Sequence, residues 1–306
     1  MVEVSVILPC YNHAAFLQQR IDSVLNQSFR EFELIILDDH SSDNSREIID
    51  RYKGNEKITQ LVFSGTNSGS AFSQWKKGIS LAKGKYIWIA ESDDHCDSNF
   101  LATAVKELND RADLFYSMSE DVDSNGKILP KSNAWMNDLS ATRWRSDFDS
   151  TSEFEFRNFL FYKNSIPNAS AVVFRRSDQV LSILTECETM RYVGDWYFWI
   201  RFLDGNKKIA YRTATRNYFR IHSSTTRRSK DHEKRNAELR TVLKLILSHP
   251  ESRKERKAII DYFIKHHFVR ASKREVLTNF SAMIKDSLVS LRFTGSWMKY
   301  YLGSAR

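Results

Sequence analysis

Apolar and polar positions switch between two periods along the first hundred residues. Apolar-rich runs at residues 4–8 (VSVIL), 32–37 (FELIIL), 58–63 (ITQLVF) and 86–90 (YIWIA) have the length and the β-branched and aromatic content of strands. Between them the spacing becomes helical. Leu17, Ile21, Val24 and Leu25 share one face within residues 14–27; Ile48, Ile49 and Tyr52 follow a capping Ser42 or Asp43; Phe72, Trp75, Ile79 and Ala82 form a third face. Strands alternating with helices across short loops predict an α/β domain, a mostly parallel sheet flanked by helices.

Each strand gives way to polar residues. Asn12, Asp39, Asn67 and Asp93 lie just past predicted strand ends, where open α/β sheets bind ligands, so four loops should meet in one crevice. The fourth run stops in Glu91, Asp93 and Asp94. Carboxylates this close repel one another unless a cation lies between them. A hard divalent ion, Mn²⁺ or Mg²⁺, sharing its other positions with phosphate, satisfies them. The same residues also suit an acidic loop capping the helix that begins near Ser98 or Asn99.

Farther on, residues 100–108 read as helix, 114–117 as strand, and 120–149 as polar and irregular. Strands are predicted at 169–174 and 209–218. Between them Gly194-Asp195 opens a helix with Trp196, Trp199 and Phe202 or Leu203 toward the core. Helical segments follow around 239–247 and 259–267, where His266 and His267 are expected to have no ligand role.

Composition narrows the class. A chain of 306 residues, 42% hydrophobic, can bury one large core with an appendage. No apolar stretch reaches the roughly 20 residues needed to span a bilayer, and the N-terminus lacks signal-peptide features, which predicts a cytoplasmic protein. Cys10, Cys96 and Cys187 show no paired spacing, so neither a disulfide framework nor a zinc site is expected. The net charge of +8 is uneven: residues 227–306 hold 19 Lys/Arg and 8 Asp/Glu, leaving 27 basic and 30 acidic residues of the totals 46 and 38 elsewhere. A mildly acidic body thus carries a basic tail.

The segments VSVILPCYN, FELIILDDHSSDNS, NSGSAFSQWKKGISLAKGKYIWIAESDD and GDWYFWIR together resemble a family 2 glycosyltransferase of the GT-A fold. The resemblance is specific over about the first hundred residues and looser to about residue 230. It implies an inverting, metal-dependent transfer of a hexose from a nucleotide-diphosphate sugar, with a UDP-sugar favoured, to a glycan or polyisoprenyl-linked acceptor in bacterial surface-polysaccharide synthesis. The alternative is a non-catalytic nucleotide- or glycan-binding relative acting with another transferase.

Carried onto these positions, the resemblance implies nucleoside contacts from Pro9, Tyr11, Asn12 and Asp39, and further donor contacts from Asn67 and Asp93. Where many relatives carry an Arg and an Asn after the glycine loop, this chain has Lys76 and Lys77, of which Lys77 is the candidate to reach the phosphates. Metal ligands would come from Asp93 or Asp94, with Asp93 favoured, and from His222 beside Arg220; Mn²⁺ or Mg²⁺ is the implied cofactor. Asp195 corresponds to the general base. Trp135 and Trp144 are candidates to touch the acceptor. The implied organisation is a GT-A domain over residues 1–226, its nucleotide-sugar half at 1–118 and acceptor half at 119–226, followed by a basic helical extension, 227–306. That extension suits either peripheral contact with the inner face of a membrane, through Trp297, Tyr300 and Tyr301, or an ordinary helical cap or oligomer contact. No nucleic-acid partner is expected.

Overall fold

Every residue of β1 (Val4–Cys10) is buried, polar Ser5 included. Burial on both faces explains why the run reads as continuously apolar. The exceptions are paid for locally: Ser5 Oγ donates to Glu33 Oε1 (2.7 Å) and accepts from the Gly84 N–H (2.8 Å), and Thr59 Oγ1 donates to Glu33 Oε2 (2.8 Å). No buried carboxylate oxygen of Glu33 is left without a donor.

The protein is described here by a computed structural model covering residues 2–130, 136–166, 168–223 and 231–267. After β1 come α1 (Ala14–Leu25), β2 (Phe32–Asp38), α2 (Ser45–Asp50), β3 (Ile58–Phe63), α3 (Ala71–Leu81) and β4 (Tyr86–Ile89), the predicted alternation. The chain continues with β5 (His95–Cys96), α4 (Phe100–Asp110), β6 (Leu114–Val122), β7 (Phe148–Thr151), the single turn α5 (Ser152–Glu155) and β8 (Val172–Arg175). It ends in α6 (Gln179–Cys187), α7 (Gly194–Phe202), β9 (Lys208–Arg220), α8 (His232–Ser248) and α9 (Arg256–His266).

The described strands form one sheet in the order β3-β2-β1-β4-β8-β6-β9-β5, with β7 paired to β9. The first four are parallel, and register aligns their ends: Cys10 lies opposite Asp38, Asp38 opposite Phe63, and Ile7 opposite Ile89. The loops after β1, β2, β3 and β4 therefore share one rim. Val4, Val6 and Leu8 face α1, α2 and α4, while Ile7 faces the layer of α3, α6 and α7. Gly78 lets α3 approach the sheet, since a Cβ there would lie 2.2 Å from Ile7 Cγ2.

Several boundaries differ from the sequence reading. β6 runs on to Val122 because β9 pairs with it along its length. Residues 169–171 form a tight helical turn rather than strand, held by a bond from the Ser170 N–H to Asn168 Oδ1 (2.9 Å). α6 was not anticipated.

Past the expected division at 226/227, the helices seen pack onto the body. Leu239, Val242, Leu243 and Ile246 of α8 and Ile259 and Phe263 of α9 belong to the same core as α7, and Trp196 stacks on Phe263 at 5.4 Å. Residues 231–267 are thus part of the body. Trp297, Tyr300 and Tyr301, with any membrane or oligomer contact they make, lie outside the described residues. Among the described residues no helix is long and apolar enough to cross a membrane.

Candidate active site

A cleft of about 830 Å³ opens along the rim where the strand ends align. At one end its wall includes Pro9, Tyr11, Asp39 and Asn67. The Asp39 carboxylate is fixed by the Ser68 N–H (3.0 Å), Ser68 Oγ (2.7 Å) and Gln74 Nε2 (2.7 Å), and Asn67 Nδ2 donates to the Asp39 carbonyl (3.0 Å). The loop after β3 and the start of α3 thus orient a buried carboxylate at the end of β2.

Two residues expected here stand elsewhere. Asn12 adopts a left-handed backbone (φ 55) and spends its side-chain oxygen on the Ser42 N–H (2.8 Å), so it ties two rim loops together outside the cleft wall. Lys77 points to Ser64 Oγ (3.3 Å), and Lys76 pairs with Glu188 (2.9 Å); neither side chain lines the cleft.

Midway along the cleft, the neighbouring carboxylates after β4 part company. Asp93 Oδ2 lies 3.0 Å from His222 Nε2. Asp94 turns inward, where its oxygens accept from Asn168 Nδ2 and from the Arg220 N–H, both at 3.0 Å. Burial works to raise the Asp93 pKa, but the His222 hydrogen bond and the nearby charge of His13 and His222 take it below the ordinary range. Burial and the charge of Asp93 instead push Asp94 up to about 6. Glu91 is pushed up to about 8 by burial and by Asp93, although it accepts from Trp75 Nε1 (2.8 Å). Fully buried Arg20 adds positive charge on the inner side of the cluster, opposing both upward shifts.

His13, which the sequence reading passed over, joins this group. One ligand atom each from His13, Asp93 and His222 lies within 4.8 Å of the other two. Two imidazoles and a carboxylate at that spacing fit a divalent transition ion. Asp94, though it also lines the cleft, is not in this set of three. Arg220 is buried and braces the loop: Nε donates to the Asp93 carbonyl (2.8 Å), and Nη1 to the carbonyls of Asp123 (3.1 Å) and Ser124 (3.0 Å).

At the far end, Asp195 stands in the first turn of α7. Its Oδ1 accepts from the Trp196 N–H (2.8 Å) and its Oδ2 from Asn164 Nδ2 (2.9 Å). Gly194 is required there because a Cβ would lie 2.5 Å from Phe72 Cε2. Behind this turn, Glu238 of α8 accepts the N–H groups of Arg191 (2.7 Å), Tyr192 (2.7 Å) and Val193 (3.0 Å). His267 lines this end too, its Nε2 2.8 Å from the Tyr162 carbonyl. Trp144 packs away from the cleft, its Nε1 donating to Tyr116 (3.0 Å), and Trp135 lies outside the described residues.

The family model for glycosyl transferase family 2 matches residues 5–170. The chain belongs to glycosyl transferase family 2. It is 33% identical over 108 residues to glycosyltransferase GlyG of Streptococcus pneumoniae, and 41% identical over 98 residues to the poly(ribitol-phosphate) β-N-acetylglucosaminyltransferase TarP of Staphylococcus aureus. These matches span 35% and 31% of this chain and only 36% and 29% of those relatives. In fold, this family 2 chain is similar to the 1–349 fragment of S. aureus TarS solved with UDP-GlcNAc. The TM-score is 0.70 at 15% identity, over 99% of this chain and 92% of the fragment. The GT-A architecture that the sequence implied is the architecture observed.

Proposed function

We propose that the protein is an inverting glycosyltransferase that moves a hexose from a UDP-sugar to a growing glycan in surface-polysaccharide assembly. The observation that carries this reading is one cleft with Asp39 at its nucleoside end, Asp93 and His222 at its centre, and Asp195 at its far end. TarP's description and the UDP-GlcNAc in TarS supply the sugar-nucleotide context.

Asp39 receives the nucleoside. Ser68 and Gln74 hold its carboxylate still; their three donor hydrogens, against the roughly four acceptor sites of a carboxylate, leave room for one base N–H, as uracil requires. Asp93 and His222, from different segments of the chain, are the residues that would hold a divalent cation. Such an ion supplies charge stabilisation for the departing diphosphate. Asp195 accepts the proton of the acceptor hydroxyl as that oxygen attacks the anomeric carbon opposite the leaving group, which inverts the configuration. Asn164 and the α7 backbone keep its oxygens in line.

Asp195→Asn tests the reading. UDP titrated calorimetrically in Mn²⁺ and again in EDTA should bind both proteins alike, with affinity lost in EDTA. UDP release from UDP-GlcNAc or UDP-glucose should fall about 10²-fold or more in the variant. Undiminished release would remove Asp195 from the role, and silence toward UDP in both media would overturn the transferase reading.

A further inference from the structure

We propose that His13 is a third protein ligand of the divalent ion, giving two imidazoles and one carboxylate, and that this set makes the site select Mn²⁺ over Mg²⁺. The inference rests on the transferase reading above and goes beyond its Asp93–His222 pair.

Helix capping does not account for the His13 side chain. It occupies the position before α1 yet makes no side-chain cap to that helix, whose Ala14 N–H is taken by Asp43 Oδ2 (2.9 Å). Its Nδ1 instead lies 2.8 Å from the hydroxyl of buried Ser92. Engaging one ring nitrogen with a hydroxyl orients the ring and leaves the other nitrogen to bind, the usual support for a metal-bound histidine. The His13 and His222 rings meet edge to face at 5.4 Å, and Phe16 packs on His222 at 5.0 Å. Both imidazoles are therefore braced by α1.

The carboxylates point the same way. Asp94 is committed to Asn168 and the Arg220 N–H, and Glu91 to Trp75, so only Asp93 offers an oxygen in this set. Mg²⁺ favours all-oxygen octahedral surroundings, whereas Mn²⁺ stands higher in affinity for nitrogen-containing sites. A set with two nitrogens and one carboxylate favours the latter.

The test counts nitrogen. Pulsed EPR of the full chain with Mn²⁺ and UDP should show two directly bound imidazole nitrogens, and His13→Phe should show one. In the same variant Mn²⁺ affinity, measured by titration with UDP present, should drop about tenfold or more while Mg²⁺ changes less. His13→Asp, restoring a ligand as oxygen, should recover metal binding with the Mn²⁺ preference reduced. One bound imidazole in the unmodified protein, a count that needs no variant to fold, overturns the proposal and leaves the transferase reading standing. The absence of any metal-dependent UDP binding overturns both.

Discussion

Asp93 and Asp94 are chemically identical neighbours with opposite tasks. One faces the cleft beside His222; the other sits at 1% exposure, taking hydrogen bonds from Asn168 and the end of β9. The pairing of β9, which carries the Arg220 N–H to Asp94, separates them. Asp93→Asn should therefore abolish Mn²⁺-dependent UDP binding. Asp94→Asn should retain it but lose about 1–3 kcal/mol of stability, because an amide N–H₂ then confronts a buried donor. Calorimetry and thermal melting of the two variants distinguish the roles, and the reverse pattern would hand the metal to Asp94.

At the scale of elements, α8 governs a turn it does not belong to. Three consecutive N–H groups ahead of α7 converge on the Glu238 carboxylate, so the orientation of the first turn of α7, and with it Asp195, depends on a helix more than forty residues downstream. Glu238→Ala should lower turnover about tenfold or more, since small misplacement of a reacting group is costly. UDP affinity in Mn²⁺ should hold, because the nucleoside end is built from other loops. A fall in melting temperature with unchanged turnover would reduce Glu238 to a structural contact. The loops after β1, β2 and β3 show the complementary case, in which Asn12 and Asn67 organise Ser42 and Asp39 from neighbouring strand ends.

Over the whole molecule, the C-terminal helices are core rather than appendage. Leu239, Val242, Leu243, Ile246, Leu247, Ile259, Ile260, Phe263 and Ile264 are all buried. At about 1.5–3 kcal/mol for each buried side chain, the loss of all nine matches or exceeds the roughly 5–15 kcal/mol that typically holds a domain together. A chain ending at residue 230 should consequently fail to yield a cooperative melting transition, and a truncated protein that melts cooperatively would restore the division at 226.

Periodicity and strand-end chemistry made the first half legible. Continuous apolar runs mark doubly covered parallel strands, helical faces mark their crossovers, and the polar residues after each run mark the rim, as Asp39, Asn67 and Asp93 illustrate. These signals are local, so the sequence by itself determined the α/β alternation, the rim and the polar strand ends that line the cleft. Only the tertiary structure decided which side chains on that rim meet. His13 joined Asp93 and His222, Asp94 turned inward, Lys77 turned away, and Glu238 came to hold the turn before Asp195. The physical reason is that these outcomes depend on strand register and helix packing between segments as far apart in sequence as His13 and His222, and no local period encodes them.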